Sequence, residues 1–313
     1  MAHMIENENA AYSVPAWHGL GAILGEASLP EFISAANMDY EVEKRDAYVR
    51  NANGDFVAVP NQQHVVRVTD EKVVSLSTVT DRYVPMQIRT LVELATPFVE
   101  GGWAMPDATF LLYEGNSEVI SLALKGETTT QSDPSSWKHF LLLQNFHGRG
   151  TVRGKVTTVR TVCHNTATVA FAPGADFAIK HCSTVDQQVR EAMSKMDGIH
   201  YAISKQMEAL ERFSGITVDP EKFMRQLLGL EDKKPDEISS RAKNHLDALI
   251  DAMERSPGVS GHMTGLDAFN AVTYITTHRT GTQGREKVVA SLLDGARASM
   301  QKKAANMLEK LAA

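Results

Sequence analysis

Apolar and polar positions alternate through much of the first 160 residues, and from about residue 183 the apolar positions recur every three or four residues. The first rhythm buries one face of a strand, the second one stripe of a helix. Ser28-x-x-Glu31 with Pro30 predicts a capping box opening a short helix through Phe32 and Ala35. Residues 40–49 alternate, Asn53-Gly54 supplies a hairpin turn signal, and residues 56–59 return as the partner strand. Residues 64–68 and 72–79 read as two more strands around Asp70-Glu71. Ile88, Leu91, Val92, Ala95 and Val99 place a helix over 87–100. Residues 109–113 and 118–124 flank Gly115-Asn116, a second hairpin signal. Residues 126–136 read as a polar loop. The last predicted strands, 139–145 and 151–162, bracket a Gly148-Arg149-Gly150 turn, and a helix is expected over 165–171.

Beyond residue 183 every signal is helical. Val185, Val189, Met193, Met196, Ile199, Ile203, Met207, Leu210 and Phe213 describe one long amphipathic helix. Asp219-Pro220 caps a short helix, Asp236 starts another, Thr264-x-x-Asp267 caps a fourth, and a last one runs from Val288 to Leu311. The expected fold class is α+β: a twisted antiparallel sheet with helices in the N-terminal half and an all-helical C-terminal half. The expected domains are an α+β domain with a basic hairpin over 1–182 and a helical domain over 183–313.

Composition changes this picture in one place. Of 32 Lys/Arg in an otherwise acidic chain of net charge −6, five lie between Lys138 and Asn165, a window with no Asp or Glu. They are Lys138, Arg149, Arg153, Lys155 and Arg160. A local basic patch is the footprint of an anionic polymer, and phosphate contacts are what Lys and Arg supply there. The same run can equally be a solvated face balancing carboxylates elsewhere in the fold. The acidic total argues against indiscriminate nucleic-acid binding. Phe146 and His147 flank the turn and could stack on bases. Trp17-His18-Gly19-Leu20-Gly21 reads either as a contact arm or as a docked N-terminal tail.

Other chemistry finds little support. Five residues separate Gly148 from Gly154-Lys155 and three separate Gly150 from it, where a P-loop needs four, and Val156 occupies the Mg²⁺-binding Ser/Thr position. Cys163-His164 and His181-Cys182 lack zinc-ligand spacing, and adjacent strand residues such as Cys163 and His164 point apart, which disfavours a nucleophile–base pair. No catalytic residue, metal site or cofactor is therefore expected. Two cysteines give no disulfide framework and suit a reducing cytoplasm. No signal peptide and no membrane-spanning run is predicted.

The segments MAH at the start, Ala16-Trp17-His18-Gly19-Leu20-Gly21, Val159-Arg160-Thr161-Val162-Cys163-His164-Asn165-Thr166, and Asn270-Ala271-Val272-Thr273 followed by His278 resemble the phage/plasmid-like protein family, a domain-of-unknown-function family of phages and plasmids. The element layout is also similar to the core of Rad fifty-two type single-strand annealing proteins, which oligomerise into rings and lay single-stranded DNA in a basic groove. The resemblance implies a homologous-recombination annealer of the host bacterial cytoplasm that needs no nucleotide and forms a homo-oligomeric ring or filament. Lys138, Arg149, Arg153, Lys155 and Arg160 would hold phosphates, with Phe146 or His147 on the bases. The alternative is a phage-borne protein-interaction or regulatory protein, modulating host defence, without enzymatic activity.

Overall fold

The alternating segments build two sheets, and the helical stripes pack mainly on one another. The computed structural model describes residues 9–14, 21–68, 73–129, 137–147, 151–160, 165–167, 177–180, 198–257, 259–279 and 295–313, together with 187, 188, 191, 288, 291 and 292. The strands are β1 (Ala10–Tyr12), β2 (Ala22–Ile23), β3 (Glu41–Arg50), β4 (Phe56–Val68), β5 (Val73–Thr80), β6 (Ala104–Leu112), β7 (Ser117–Thr128), β8 (Trp137–Phe146), β9 (Thr151–Arg160), β10 (Asn165–Ala167) and β11 (Phe177–Lys180). The helices are α1 (Leu29–Ala35), α2 (Ile88–Glu100), α3 (Ile199–Ser214), α4 (Pro220–Leu228), α5 (Ser240–Arg255), α6 (Gly265–His278) and α7 (Ala296–Ala312).

The larger sheet has the order β10-β9-β8-β7-β6-β1-β2, with β11 also on β9; the smaller has the order β3-β4-β5. This corrects the expected fold class in three respects. Among the described residues there are two sheets rather than one. The larger is not purely antiparallel, because β1 and β2 run parallel. The second half of the chain is not all-helical, because strands continue to Lys180 and helices dominate only afterwards. The β-forming alternation of β9 and its antiparallel pairing with β10 and β11 carry the sheet past the midpoint.

Local corrections have local causes. Residues 56–59 and 64–68 belong to one strand, β4, broken by an irregularity between its pairings at Ala58 and Gln63. Pro60, which has no N–H for a ladder, sits in that interval. Residues 165–167 are strand rather than helix, since β9 offers them a partner. The helix expected from Asp236 begins instead at Ser240, because Pro235–Glu237 forms a 3₁₀ turn and Ser239 takes the N-cap. Three predicted caps form. Glu31 accepts from Ser28 N at 2.7 Å, Asp219 accepts from Lys222 N at 2.9 Å, and Thr264 Oγ1 accepts from Asp267 N at 3.1 Å. Trp17 to Leu20, the Gly148-Arg149-Gly150 turn, Cys163, His164, His181, Cys182 and the 182/183 boundary lie outside the described residues.

The chain divides into two compact units. One comprises 1–125, 141–155 and 174–199; the other comprises 126–140, 156–173 and 200–313. In the first, α1 and α2 bury Phe32, Leu91 and Leu94 with Leu112, Ile120 and Leu122 of β6 and β7 among the fully enclosed side chains. In the second, Trp137, Leu210, Phe213, Met224, Leu249, Met253, Phe269 and Leu308 form one apolar core. The Phe213 and Phe269 rings meet edge to face at 6.0 Å, a favoured aromatic geometry. Among the described residues no helix is long and apolar enough to cross a membrane.

Phe269→Ala is expected to cost about 3–5 kcal/mol, the transfer term plus the cavity left at a site with no exposed surface. Urea unfolding followed by circular dichroism measures it.

Candidate nucleic-acid interface

Alternation along β9 decides which of its residues face solvent. Val152, Gly154 and Val156 are buried, while Thr151, Arg153 and Lys155 are half-buried on the other face. β11 pairs with β9 so that Ala178 lies opposite Arg153 and Lys180 opposite Thr151. Directly opposed residues of an antiparallel pair share a face. Arg153, Lys155 and Lys180 therefore stand on one side of the sheet, with Lys180 exposed. The Arg153 guanidinium also sits over the Phe146 ring at 5.8 Å, so an aromatic face helps hold it extended.

The remaining predicted residues separate from this group. Phe146 and His147 are buried, at 3% and 0% exposure, so neither presents a ring to a base at this surface. Lys138 is exposed and pairs with Glu127 at 3.5 Å. It belongs to the other compact unit, as does Arg160, whose backbone closes β9 opposite Asn165. Arg149 lies outside the described residues. Among the described residues no group of three or more His, Cys, Asp or Glu side chains is placed to hold a metal ion.

Behind Phe146 lies a feature that the sequence reading missed. His147 Nε2 is 3.4 Å from Glu118 Oε1, and both side chains are wholly buried. Asn145 Nδ2 donates to Glu118 Oε2 at 2.8 Å, and the Tyr83 hydroxyl is 3.4 Å from His147 Nδ1. Tyr40 and Arg67 join from the smaller sheet, with the guanidinium 5.0 Å above the phenol ring. The sharp loop between β6 and β7 makes room for them. Gly115 has φ +91°, and a Cβ there would come within 3.1 Å of Arg67 Nη1. Backbone groups complete the junction: His147 N donates to Asn116 O at 2.9 Å, Asn116 Nδ2 donates to Leu76 O, and Ser77 Oγ donates to His147 O at 3.4 Å. The available signal was Glu118 heading an apolar run and Gln144-Asn145 ending one, since polar residues in an otherwise buried strand need partners.

Charge in this network follows from its contacts. Burial alone would push the Glu118 carboxyl up, but His147 and the donor from Asn145 outweigh it and hold the group below its ordinary range. Burial drives the Tyr83 phenol up, reinforced by Glu118. In the other unit, His139 lies between Thr128 Oγ1 at 2.7 Å and Thr158 Oγ1 at 3.0 Å, and Thr158 donates to Gln206 Oε1 at 2.6 Å. Burial pushes the His139 imidazole down to about 4.

A family profile described as Domain of unknown function (DUF932) matches residues 75–310, and the chain belongs to that family. No curated protein and no solved structure matches it.

Two acid effects are expected. Glu118, depressed when folded, stabilises the native state above the ordinary carboxylate range, and that contribution is lost as pH falls through its folded value. Glu118→Gln should cost about 3–5 kcal/mol at neutral pH by breaking a buried pair. His139 acts earlier: between its ordinary 6.5 and about 4 the unfolded chain takes up a proton that the folded chain refuses. Stability should therefore decline as pH drops through that window, and His139→Gln should flatten the decline. Urea titrations at stepped pH on parent and variants check both.

Proposed function

We propose that this DUF932 member is a phage- or plasmid-encoded protein that binds and anneals single-stranded DNA in homologous recombination, without nucleotide hydrolysis. The observation that supports this reading is the common face of Arg153, Lys155 and Lys180 on paired strands β9 and β11. Cations on one sheet face can hold successive phosphates while leaving base edges free to pair, which is the chemistry annealing requires. Arg149 lies next to this face in sequence and extends the candidate set. Lys138 and Arg160 remain candidates on the other unit. Phe146 serves as packing beneath Arg153 and His147 as an internal anchor, so stacking on bases is left out of the mechanism. Functional kinship with Rad fifty-two type annealers, a homo-oligomeric ring or filament, the bacterial cytoplasm as its location and the lack of a catalytic activity belong to the same reading.

A second reading, a protein-interaction or regulatory protein, is favoured by the far end of the β3–β4 hairpin. Tyr48, Val49, Phe56 and Val57 are each about half exposed or more there, and Arg50 stacks on Phe56 at 5.0 Å. Apolar side chains on an outlying hairpin suit a protein partner better than a phosphate chain.

Fluorescence anisotropy with a labelled oligonucleotide, repeated over a salt series, separates the readings. Arg153→Glu with Lys155→Glu should abolish most binding at low salt with an unchanged melting temperature. Arg153→Ala alone should reduce the log–log salt slope by about 0.7, the value for one lost phosphate contact on a single strand. Double-mutant binding equal to the parent would move the site elsewhere. Light scattering should give a multiple of the 34.3 kDa chain mass; a strict monomer would count against annealing.

A further inference from the structure

The C-terminal ends of α5 and α6 enclose a cleft of about 340 Å³, within the size range of small-ligand sites. It lies in the second compact unit and is independent of the DNA reading. One wall is flat and apolar, made by Ala252, Ile275 and the Tyr274 ring, which is 4.9 Å from the His278 ring. Ala248 adds to the apolar side, and the remaining lining groups are Arg255, Asp251, Arg279 and Ser256. Ser256 is 5% exposed, and among the described residues its hydroxyl has no hydrogen-bond partner. A buried, unsatisfied donor is a cost to the free protein, and a ligand seated in the cleft would remove it.

The charge of the occupant follows from what surrounds the cleft. Two helix C-termini would by themselves favour a cation. That preference is cancelled at α6, because Arg297 donates to the backbone carbonyls of Ile275 at 3.5 Å, of Thr276, and of Arg279 at 2.6 Å. Among the described residues the Arg279 side chain donates to Asn244 O at 3.4 Å. Arg255 holds Asp251 at 3.2 Å, but both are largely exposed, and such a pair is weak enough to exchange for a ligand. His245, in the first half of α5, is held below its ordinary range by burial and then by Arg279, Arg297 and Arg241.

We propose that the cleft between α5 and α6 binds a small molecule carrying one oxyanion on a flat, largely apolar body, with Arg279 and Arg255 on the oxyanion, Ser256 as a hydrogen-bond donor and Tyr274 against the flat face. Isothermal titration calorimetry on the full chain tests this, with adenosine monophosphate, inorganic phosphate and adenosine as probes. Adenosine monophosphate should bind saturably, and both other probes about tenfold or more weakly. Arg279→Gln should weaken its binding about tenfold while leaving oligonucleotide binding intact. Ser256→Ala should bind severalfold more weakly although its melting temperature stays level or rises, because the substitution deletes an unsatisfied group; a purely structural serine would not show that combination. If Arg279→Gln fails to fold, Arg255→Gln, at an exposed position, takes its place. The proposal is overturned if adenosine or phosphate matches adenosine monophosphate, if Ser256→Ala and Arg255→Gln both keep parental affinity, or if no binding is seen at about 1 mM probe.

Discussion

A carboxylate and an imidazole buried together at 0% exposure set the terms for the first compact unit. Removing such groups from water is costly unless every neighbour is placed to compensate. The Glu118–His147 pair is compensated in part, through Asn145 on one carboxylate oxygen and Tyr83 on the far ring nitrogen. The four residues come from three segments, so the network forms only when β7, the end of β8 and the turn before α2 are all in register. A one-residue slip in β8 would turn His147 to the opposite face and leave Glu118 without its counter-group.

The same constraint reaches the candidate interface. His147 directly follows β8 and its backbone is held on both sides, by Asn116 O and Ser77 Oγ. The preceding residue, Phe146, is thereby fixed in the interior, where its ring lies beneath the Arg153 guanidinium. A cation whose stem and head are supported in this way loses less freedom on meeting a phosphate than one swinging from a loop. The buried pair thus bears on the candidate interface through geometry rather than through contact.

The second unit relies on a different principle. Its core is apolar and helical, and its polar requirements are met at helix ends. Asp267 accepts from Thr264 N at 3.0 Å and from Ser260 N at 2.7 Å, and Arg297 covers the carbonyl end of α6. Such end contacts matter because each terminus leaves backbone groups that the helix cannot pair for itself. They also leave side chains gathered at the C-terminal ends of α5 and α6, which is where the cleft lies.

Elements whose signals are local were legible in the sequence. The caps at Ser28, Asp219 and Thr264, the helix beginning at Ile88 and the strand from Thr151 follow from residue spacing and from chemistry within a few residues. The acid-free basic window was equally plain, because charge can be counted without coordinates. Tertiary structure decided what depends on partners far along the chain. Whether residues 165–167 become strand depends on the edge that β9 offers, and β1 joins the sheet on β6 while β2 joins on β1. His147 carries the same imidazole whether it stacks on a base or pairs with a carboxylate. Only the arrival of Glu118, 29 positions earlier, turns it inward. Desolvation and pairing of a buried charge are properties of its whole surroundings, and no local run of residues specifies them.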